Sequence, residues 1–282
     1  MNILSIQSWV SYGHVGNAAA AFPLQRLGAE VWTVNTVQFS NHTGYESWRG
    51  MVLPPQLIRD LVLGIEERGV LPGCDALLSG YLGDPEVAEA VLDAHARVMR
   101  ANPRALYCAD PVIGDDDRGV YVRPGVAELM RDRILPAADI LTPNHFELKH
   151  LTGMPCVTLA EVKAAVTVIQ ARGPRRVLVT SLRTEETPAD SLDMLAAEDG
   201  QFFLLRVPML PLAINGAGDA VAALFLLHCL RTGSAPEALG RAGSSIFGIL
   251  RRTVELGGRE IALIAAQEEL VSPSRLFLPT PC

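Results

Sequence analysis

Asn215-Gly216-Ala217-Gly218-Asp219 runs without a break into Ala220-Val221-Ala222-Ala223-Leu224-Phe225-Leu226-Leu227. A segment apolar on every side reads as a helix buried all round, so its N-terminus lies inside the molecule and not at its surface. The first N–H groups of a helix have no intrahelical acceptor, and the aligned peptide dipoles place about half a positive charge there. Gly216 and Gly218 carry no side chain, so the N–H groups of Gly216, Ala217 and Gly218 can converge on an anion such as a phosphoryl group. Asp219 has two readings at this stage. It is a first-turn acid favoured by the dipole, or a base beside a phosphoryl-transfer site.

Outward from this helix, short apolar runs recur at Ile3 to Ile6, Val31 to Val37, Ala76 to Leu78, Ala105 to Ala109, Ala138 to Leu141 and Val177 to Val179. Amphipathic segments such as Val87 to Met99 and Leu159 to Ala171 separate them. Runs rich in Val, Ile and Leu with helices between them predict buried strands in βα units, hence an α/β fold with a mainly parallel sheet. The residues after the runs are polar: Ser8, then Ser79-Gly80-Tyr81, Asp110-Pro111, Thr142-Pro143-Asn144 and Thr180-Ser181. Strand C-termini of a parallel sheet share one edge, where ligands bind, so these distant residues are expected to line one crevice.

The segment from Thr36 through Gln38-Phe39-Ser40-Asn41-His42-Thr43-Gly44-Tyr45 to Gly50 breaks the βα rhythm with aromatics, a histidine and a glycine turn. It predicts a strand running past the sheet, a turn near Asn41 to Gly44 and a returning strand through Met51 to Leu53. This flap, about residues 36–53, either covers the crevice or is a surface hairpin whose Tyr45 and Trp48 pack on the body. Farther on, Arg183 to Asp190 reads as a loop, and Ser191 to Ala197 with Gln201 to Pro208 as a hairpin around Gly200. Helices are expected at Pro236 to Glu255 and Glu260 to Leu270, then a Pro-rich tail from Ser272 to Cys282. With no repeat and no break in composition, residues 1–282 read as one domain.

A net charge of −7, from 24 basic and 31 acidic residues, argues against a nucleic-acid surface, and 49% hydrophobic content argues against disorder. Cys74, Cys108, Cys156, Cys229 and Cys282 form no C-x-x-C pair and read as free thiols in a reducing compartment. No signal-peptide pattern opens the chain, and no apolar run approaches the roughly 18 residues that span a bilayer, so a soluble cytoplasmic protein without membrane contact is expected. There is no G-x-x-x-x-G-K-[ST] and no G-x-G-x-x-G after the first strand. The histidines lack metal-ligand spacing. His228, inside the apolar helix, reads as a satisfied core residue, whereas His42 stands at the flap turn.

These stretches carry a resemblance. Ser8 with Tyr12-Gly13-His14-Val15-Gly16-Asn17, the flap motif Val37 to Tyr45, Ser79-Gly80-Tyr81, Asp110-Pro111-Val112-Ile113-Gly114-Asp115, Thr142-Pro143-Asn144 with Glu147, and Gly216-Ala217-Gly218-Asp219 together resemble the pyridoxal kinases of the ribokinase-like superfamily. The Gly-Asp motif fits the whole superfamily; the flap motif and the Gly13 to Asn17 turn narrow it to vitamin B6 kinases. The match is spread over residues 2 to 270.

The resemblance implies a ribokinase-like three-layer α/β/α fold and transfer of phosphate from ATP to the 5′-hydroxymethyl of pyridoxal, with pyridoxine and pyridoxamine as further substrates. It makes Asp219 the base and Gly216, Ala217 and Gly218 the anion hole. Ser8, His42, Thr43, Gly44 and Tyr81 match positions around the pyridine ring. Asp110, Thr142, Glu147 and Thr180 match positions serving metal ions. Asp110, Asp115, Asn144, Glu147, Thr180 and Ser181, with Gly216 and Gly218, match positions at the nucleotide. It further implies Mg2+ with ATP, a monovalent cation (K+ or Na+) and a homodimer paired through the flap-bearing face. Two departures stand out: Thr180, where many bacterial relatives carry Lys, and Asn215, where superfamily relatives often carry Thr. Hydroxymethylpyrimidine kinase of thiamin synthesis shares the fold and the base, and a non-catalytic B6 carrier would share the pocket. The motif Asn41 to Tyr45 disfavours the former and intact Asp219 the latter.

Overall fold

In a strand buried on both faces, successive side chains enter opposite layers, and that division organises the molecule. The structure, a computed structural model, describes residues 1–282. Leu4 and Ile6, Leu77, Tyr107, Val177 and Val179 join one core, while their neighbours Ile3, Leu78, Cys108 and Leu178 join the other. Helices therefore cover both faces and the fold has three layers.

The chain forms β1 (Asn2–Val10), α1 (Asn17–Arg26), β2 (Glu30–Phe39), β3 (Gly50–Val52), α2 (Pro55–Glu67), β4 (Ala76–Ser79), α3 (Pro85–Ala101) and β5 (Leu106–Ala109). A small hairpin follows, β6 (Gly114–Asp115) and β7 (Gly119–Val120), then α4 (Val126–Leu129), a π turn, α5 (Leu135–Ala137) and β8 (Ile140–Leu141). The second half contains α6 (His145–Thr152), α7 (Leu159–Gln170), β9 (Arg176–Leu182), β10 (Ser191–Glu198), β11 (Gln201–Pro208), α8 (Ala217–Thr232), α9 (Ala235–Leu256), α10 (Glu268–Val271) and β12 (Thr280–Pro281). The main sheet has the order β12-β11-β10-β9-β8-β5-β4-β1-β2-β3. From β2 to β9 all neighbours are parallel. The outer pairs are antiparallel.

Helix α8 is buried from Ala220 to Cys229 and packs between α1 and α9, as its all-round apolar sequence requires. Two expectations about the elements differ. Of the helix expected at Glu260 to Leu270, only Glu268–Val271 forms. Thr253 Oγ1 accepts the N–H of Ala262 at 2.9 Å, and the N–H of His14 donates to the Glu260 carboxylate at 3.0 Å, so side-chain contacts claim the start of that segment. The tail from Ser272 also packs: Phe277 meets Phe247 with ring centroids 4.9 Å apart, and β12 pairs with β11 at the sheet edge.

His228 lies in the core, but its Nδ1 has no hydrogen-bond partner, so it is not the satisfied core histidine expected. Burial, followed by the charges of Arg231 and Arg241, lowers its pKa from 6.5 to about 4. Between those values the unfolded chain binds a proton that the folded chain refuses. The stabilisation is thus complete above pH 6.5 and is lost as pH falls through about 4, by up to ~3 kcal/mol. Urea unfolding at pH 7.5 and 5.5 checks this. The parent should lose about 1 kcal/mol more than a His228→Leu variant on acidification, and equal losses would show that His228 does not set the dependence.

Candidate active site

The carboxyl ends of the parallel strands open into a cavity of ≈ 250 Å³. Ser8 enters it from β1, Tyr81 from beyond β4, Asp110 from β5, Thr142 and Asn144 from β8, Thr180 and Ser181 from β9, and Gly216 to Asp219 from the start of α8. The flap contributes His42, Thr43 and Gly44, and Asp115 and Glu147 complete the acidic side. Each candidate catalytic, substrate, nucleotide and metal residue read from the sequence thus borders one cavity, whereas Ser79, Gly80, Pro111 and Pro143, expected along the same edge, do not line it. Ser8 sits where the β1–β2 register shifts between Gln7 and Trp9, a bulge of the kind that re-aims a side chain.

The flap is built as β2 running on to Phe39 and returning through β3, with Val37 opposite Val52. Phe39 and Trp48 lie 4.4 Å apart between ring centroids, and Asn41 Nδ2 donates to the Ser47 carbonyl at 2.9 Å, so the turn is held by its own side chains. Val10, Val15, Val37, Phe39 and Tyr81 give this half of the cavity apolar walls, which suit a flat ring ringed by the polar groups of Ser8, His42 and Thr43.

At the opposite end α8 begins without a side-chain cap, leaving its first-turn N–H groups toward the cavity. Its N-cap, Gly216, has φ 87°, and a Cβ there would meet the His14 carbonyl oxygen at 1.8 Å. Only glycine permits this approach of loop to helix. Asp219 follows in the first turn. Burial raises its pKa, against the pull of the N–H groups of Gly16 and of Asp219 itself, which shifts a carboxylate toward useful basicity.

Between these ends lies an acidic wall. Asp110 is 6% exposed and accepts a bond from Thr142 Oγ1 at 3.0 Å. Burial, then the neighbouring Glu147 and Asp219, push its carboxyl well above the usual range. Glu147 forms the capping box of α6 with Asn144: its Oε2 accepts from Asn144 N at 2.8 Å and its Oε1 from Ile113 N at 2.9 Å. Burial raises Glu147 to about 8, while those N–H donors pull the other way. Carboxyls crowded in this way call for a cation. No three of them converge into a ready-made cage, and magnesium, which keeps water and binds mainly to substrate phosphates, needs none. The donor set fits that ion.

Sequence reasoning missed four features. Arg118 Nε donates to Asp115 at 2.8 Å and its Nη2 to Asn215 Oδ1 at 3.1 Å, so the cation, not the acid, is the natural partner of phosphate on this side. Its signal was a lone base closing the acidic run Asp115-Asp116-Asp117. Tyr121 lies under that guanidinium, 4.8 Å from ring centroid to Cζ. Ser181 holds φ 51°, a left-handed conformation costly for a residue with a Cβ, at the junction with a second, mainly apolar cavity of ≈ 160 Å³. That cavity shares Thr180, Ser181, Ala217 and Gly218 with the first and is walled by Met194, Val207, Val221 and Phe247 among others. Lastly, Glu260 reaches the flap from the far end of the chain.

Comparison with known proteins accords with this geometry. The family described as phosphomethylpyrimidine kinase matches residues 26–263. Pyridoxal kinase PdxY of Granulibacter bethesdensis is 60% identical, with 100% of both chains covered. Pyridoxal kinase PdxY of Deinococcus radiodurans is 55% identical, covering 98% of this chain and 95% of the relative. Among solved structures, pyridoxal kinase from Leishmania donovani in complex with ADP and pyridoxamine superposes with a TM-score of 0.92 at 30% identity, over 100% of this chain and 99% of that one.

Proposed function

The chain belongs to the pyridoxal kinase family, and on that premise we propose that it transfers the γ-phosphoryl group of ATP to the 5′-hydroxymethyl group of pyridoxal, pyridoxine and pyridoxamine. The observation that carries this reading is the placement of Asp219 and the uncapped start of α8 in the same cavity as an apolar, flap-bordered ring site. The vitamer ring lies between Val15, Val37, Phe39 and Tyr81, with Ser8, His42, Thr43 and Gly44 at its edges. Asp219 takes the proton of the hydroxymethyl group. The N–H groups of Gly216, Ala217 and Gly218 receive the charge that develops on the phosphoryl oxygens, and Arg118 offsets it from the other side. Asn144, Thr180 and Ser181 line the path of the phosphates, and the adenine enters the apolar cavity beyond Ser181. Asp110, Thr142, Glu147 and Thr180 are the residues that would hold Mg2+, which supplies charge neutralisation at the phosphates. Thr180 puts no positive charge at the end of β9, which leaves room for K+ or Na+.

The purified chain with pyridoxal and MgATP should form pyridoxal 5′-phosphate. The rate should vanish with EDTA and fall when K+ and Na+ are replaced by a bulky organic cation. Binding of pyridoxal without turnover of any B6 vitamer would instead make the protein a carrier.

We further propose a single domain over residues 1–282 that works as a homodimer in the cytoplasm. Trp48 of the flap, Met51 on β3 and Leu57 and Leu61 on α2 are all exposed, apolar surface on flap and α2 of the kind a second copy could cover. Light scattering at micromolar concentration should give twice the 30.3 kDa chain mass, and a clean monomer would remove the dimer. All five cysteines are free, which suits a reducing compartment; export in a cell fractionation would contradict the placement. No helix is long and apolar enough to cross a membrane.

A further inference from the structure

Glu260 lies in the turn segment after α9, yet its carboxylate reaches across the chain to the flap. Oε1 accepts from the Tyr45 hydroxyl at 2.7 Å and stands 3.1 Å from His42 Nε2, while Oε2 accepts from the N–H of His14 at 3.0 Å. The His42 and Glu260 side chains are only 11% and 14% exposed. The approach is tight: Gly13 has φ 91°, and a Cβ there would meet Glu260 Oε2 at 2.2 Å. The Arg259 guanidinium covers the Tyr45 ring at 4.7 Å, so consecutive residues of this turn grip the flap tip.

The other imidazole nitrogen has its own partners. The N–H of Gly44 points at His42 Nδ1 at 3.2 Å, and Asn215 Nδ2 stands 3.4 Å from it. Because Asn215 Oδ1 is taken by Arg118, its amide presents Nδ2 to the ring. Two donors on Nδ1 require that nitrogen to be an acceptor, which places the proton on Nε2, where Glu260 accepts it. The ring is thus held by a carboxylate on one side and by amide donors on the cavity side.

We propose that Glu260 is a positioning residue for the vitamer site: it fixes the Nε2–H tautomer and the orientation of His42 and clamps the flap tip, so that the imidazole and the neighbouring Thr43 and Gly44 are held in one place at the edge of the vitamer cavity. Its carboxylate does not touch the reacting atoms. The proposal rests on the reading of the flap side as the vitamer site, and it predicts a selective defect. Removing the carboxylate frees His42 and Tyr45 together but leaves the nucleotide side intact.

Two measurements test it. In steady-state kinetics Glu260→Ala should raise the KM for pyridoxal at least tenfold, with the KM for ATP and kcat each within about threefold of the parent. In long-range 1H–15N spectra of the ligand-free protein, His42 should be the Nε2–H tautomer in the parent and a mixture in Glu260→Ala. Glu260→Gln, which keeps an acceptor oxygen for Nε2–H, should restore most of the tautomer; it also serves as the readout if Glu260→Ala does not fold. A parent-like KM for pyridoxal in a folded Glu260→Ala variant, or an equal rise in both KM values, would overturn the proposal, as would a His42 tautomer unaffected by both substitutions. The spectra need no turnover, so failure of the parent to phosphorylate pyridoxal would sink the kinase reading separately.

Discussion

Asp219→Asn should lower kcat for pyridoxal by about 10² to 10⁴-fold, the contribution expected of a positioned general base. That loss corresponds to roughly 3 to 5.5 kcal/mol of transition-state stabilisation. The substitution keeps the size of the side chain and leaves the backbone donors of α8 in place, so the KM values for pyridoxal and ATP should change little. The opposing expectation is well separated. If Asp219 were only a first-turn acid, its neutralisation would cost at most about 1 kcal/mol of fold stability and leave the rate nearly intact. The raised pKa favours the base, because a buried carboxylate holds a proton more readily than an exposed one. Steady-state kinetics on the purified variant, with a thermal melt to confirm folding, separates the two.

Gly216→Ala should be almost as damaging by a different route. The backbone there has φ 87°, and the added Cβ would overlap the His14 carbonyl oxygen at 1.8 Å, which is backbone and cannot swing aside. The start of α8 must move, carrying its N–H groups off their target. Loss of one oxyanion donor costs about 10² to 10³-fold in kcat, and strain at a left-handed position costs on the order of 1–3 kcal/mol of stability. Both kcat and the melting temperature should therefore fall. A variant with parent-like kcat would show that the helix start does not bind the phosphoryl group.

Much of this was legible in the sequence because it depends on local pattern. The apolar run after Asp219 could only be a buried helix, and the strands of the central sheet show as short Val, Ile and Leu runs because both of their faces are covered. Their polar end residues fall on one edge by topology alone, so the cavity could be foreseen from the crevice rule. What stayed hidden depends on distant partners. Glu260 meets His42 and Tyr45 across 218 and 215 residues of chain, and no local pattern announces such a contact. The same carboxylate explains the failed helix after Gly258, since its start is engaged by His14 and Thr253. The apolar cavity beside Ser181 is assembled from β9, β10, β11, α8 and α9, each of which reads as ordinary core. The Pro-rich end looked loose because two strand residues, Thr280 and Pro281, are too few to register as a strand.

The flap separates the two kinase readings, because a hydroxymethylpyrimidine kinase would share the fold and Asp219 but has no need of His42, Thr43 and Gly44 beside a pyridine. The most direct test is therefore the ratio of kcat/KM for pyridoxal to that for hydroxymethylpyrimidine, measured with MgATP on the same preparation. The account predicts a ratio above about 100, the scale at which one misfitted contact separates two substrates; a ratio near or below unity would contradict it.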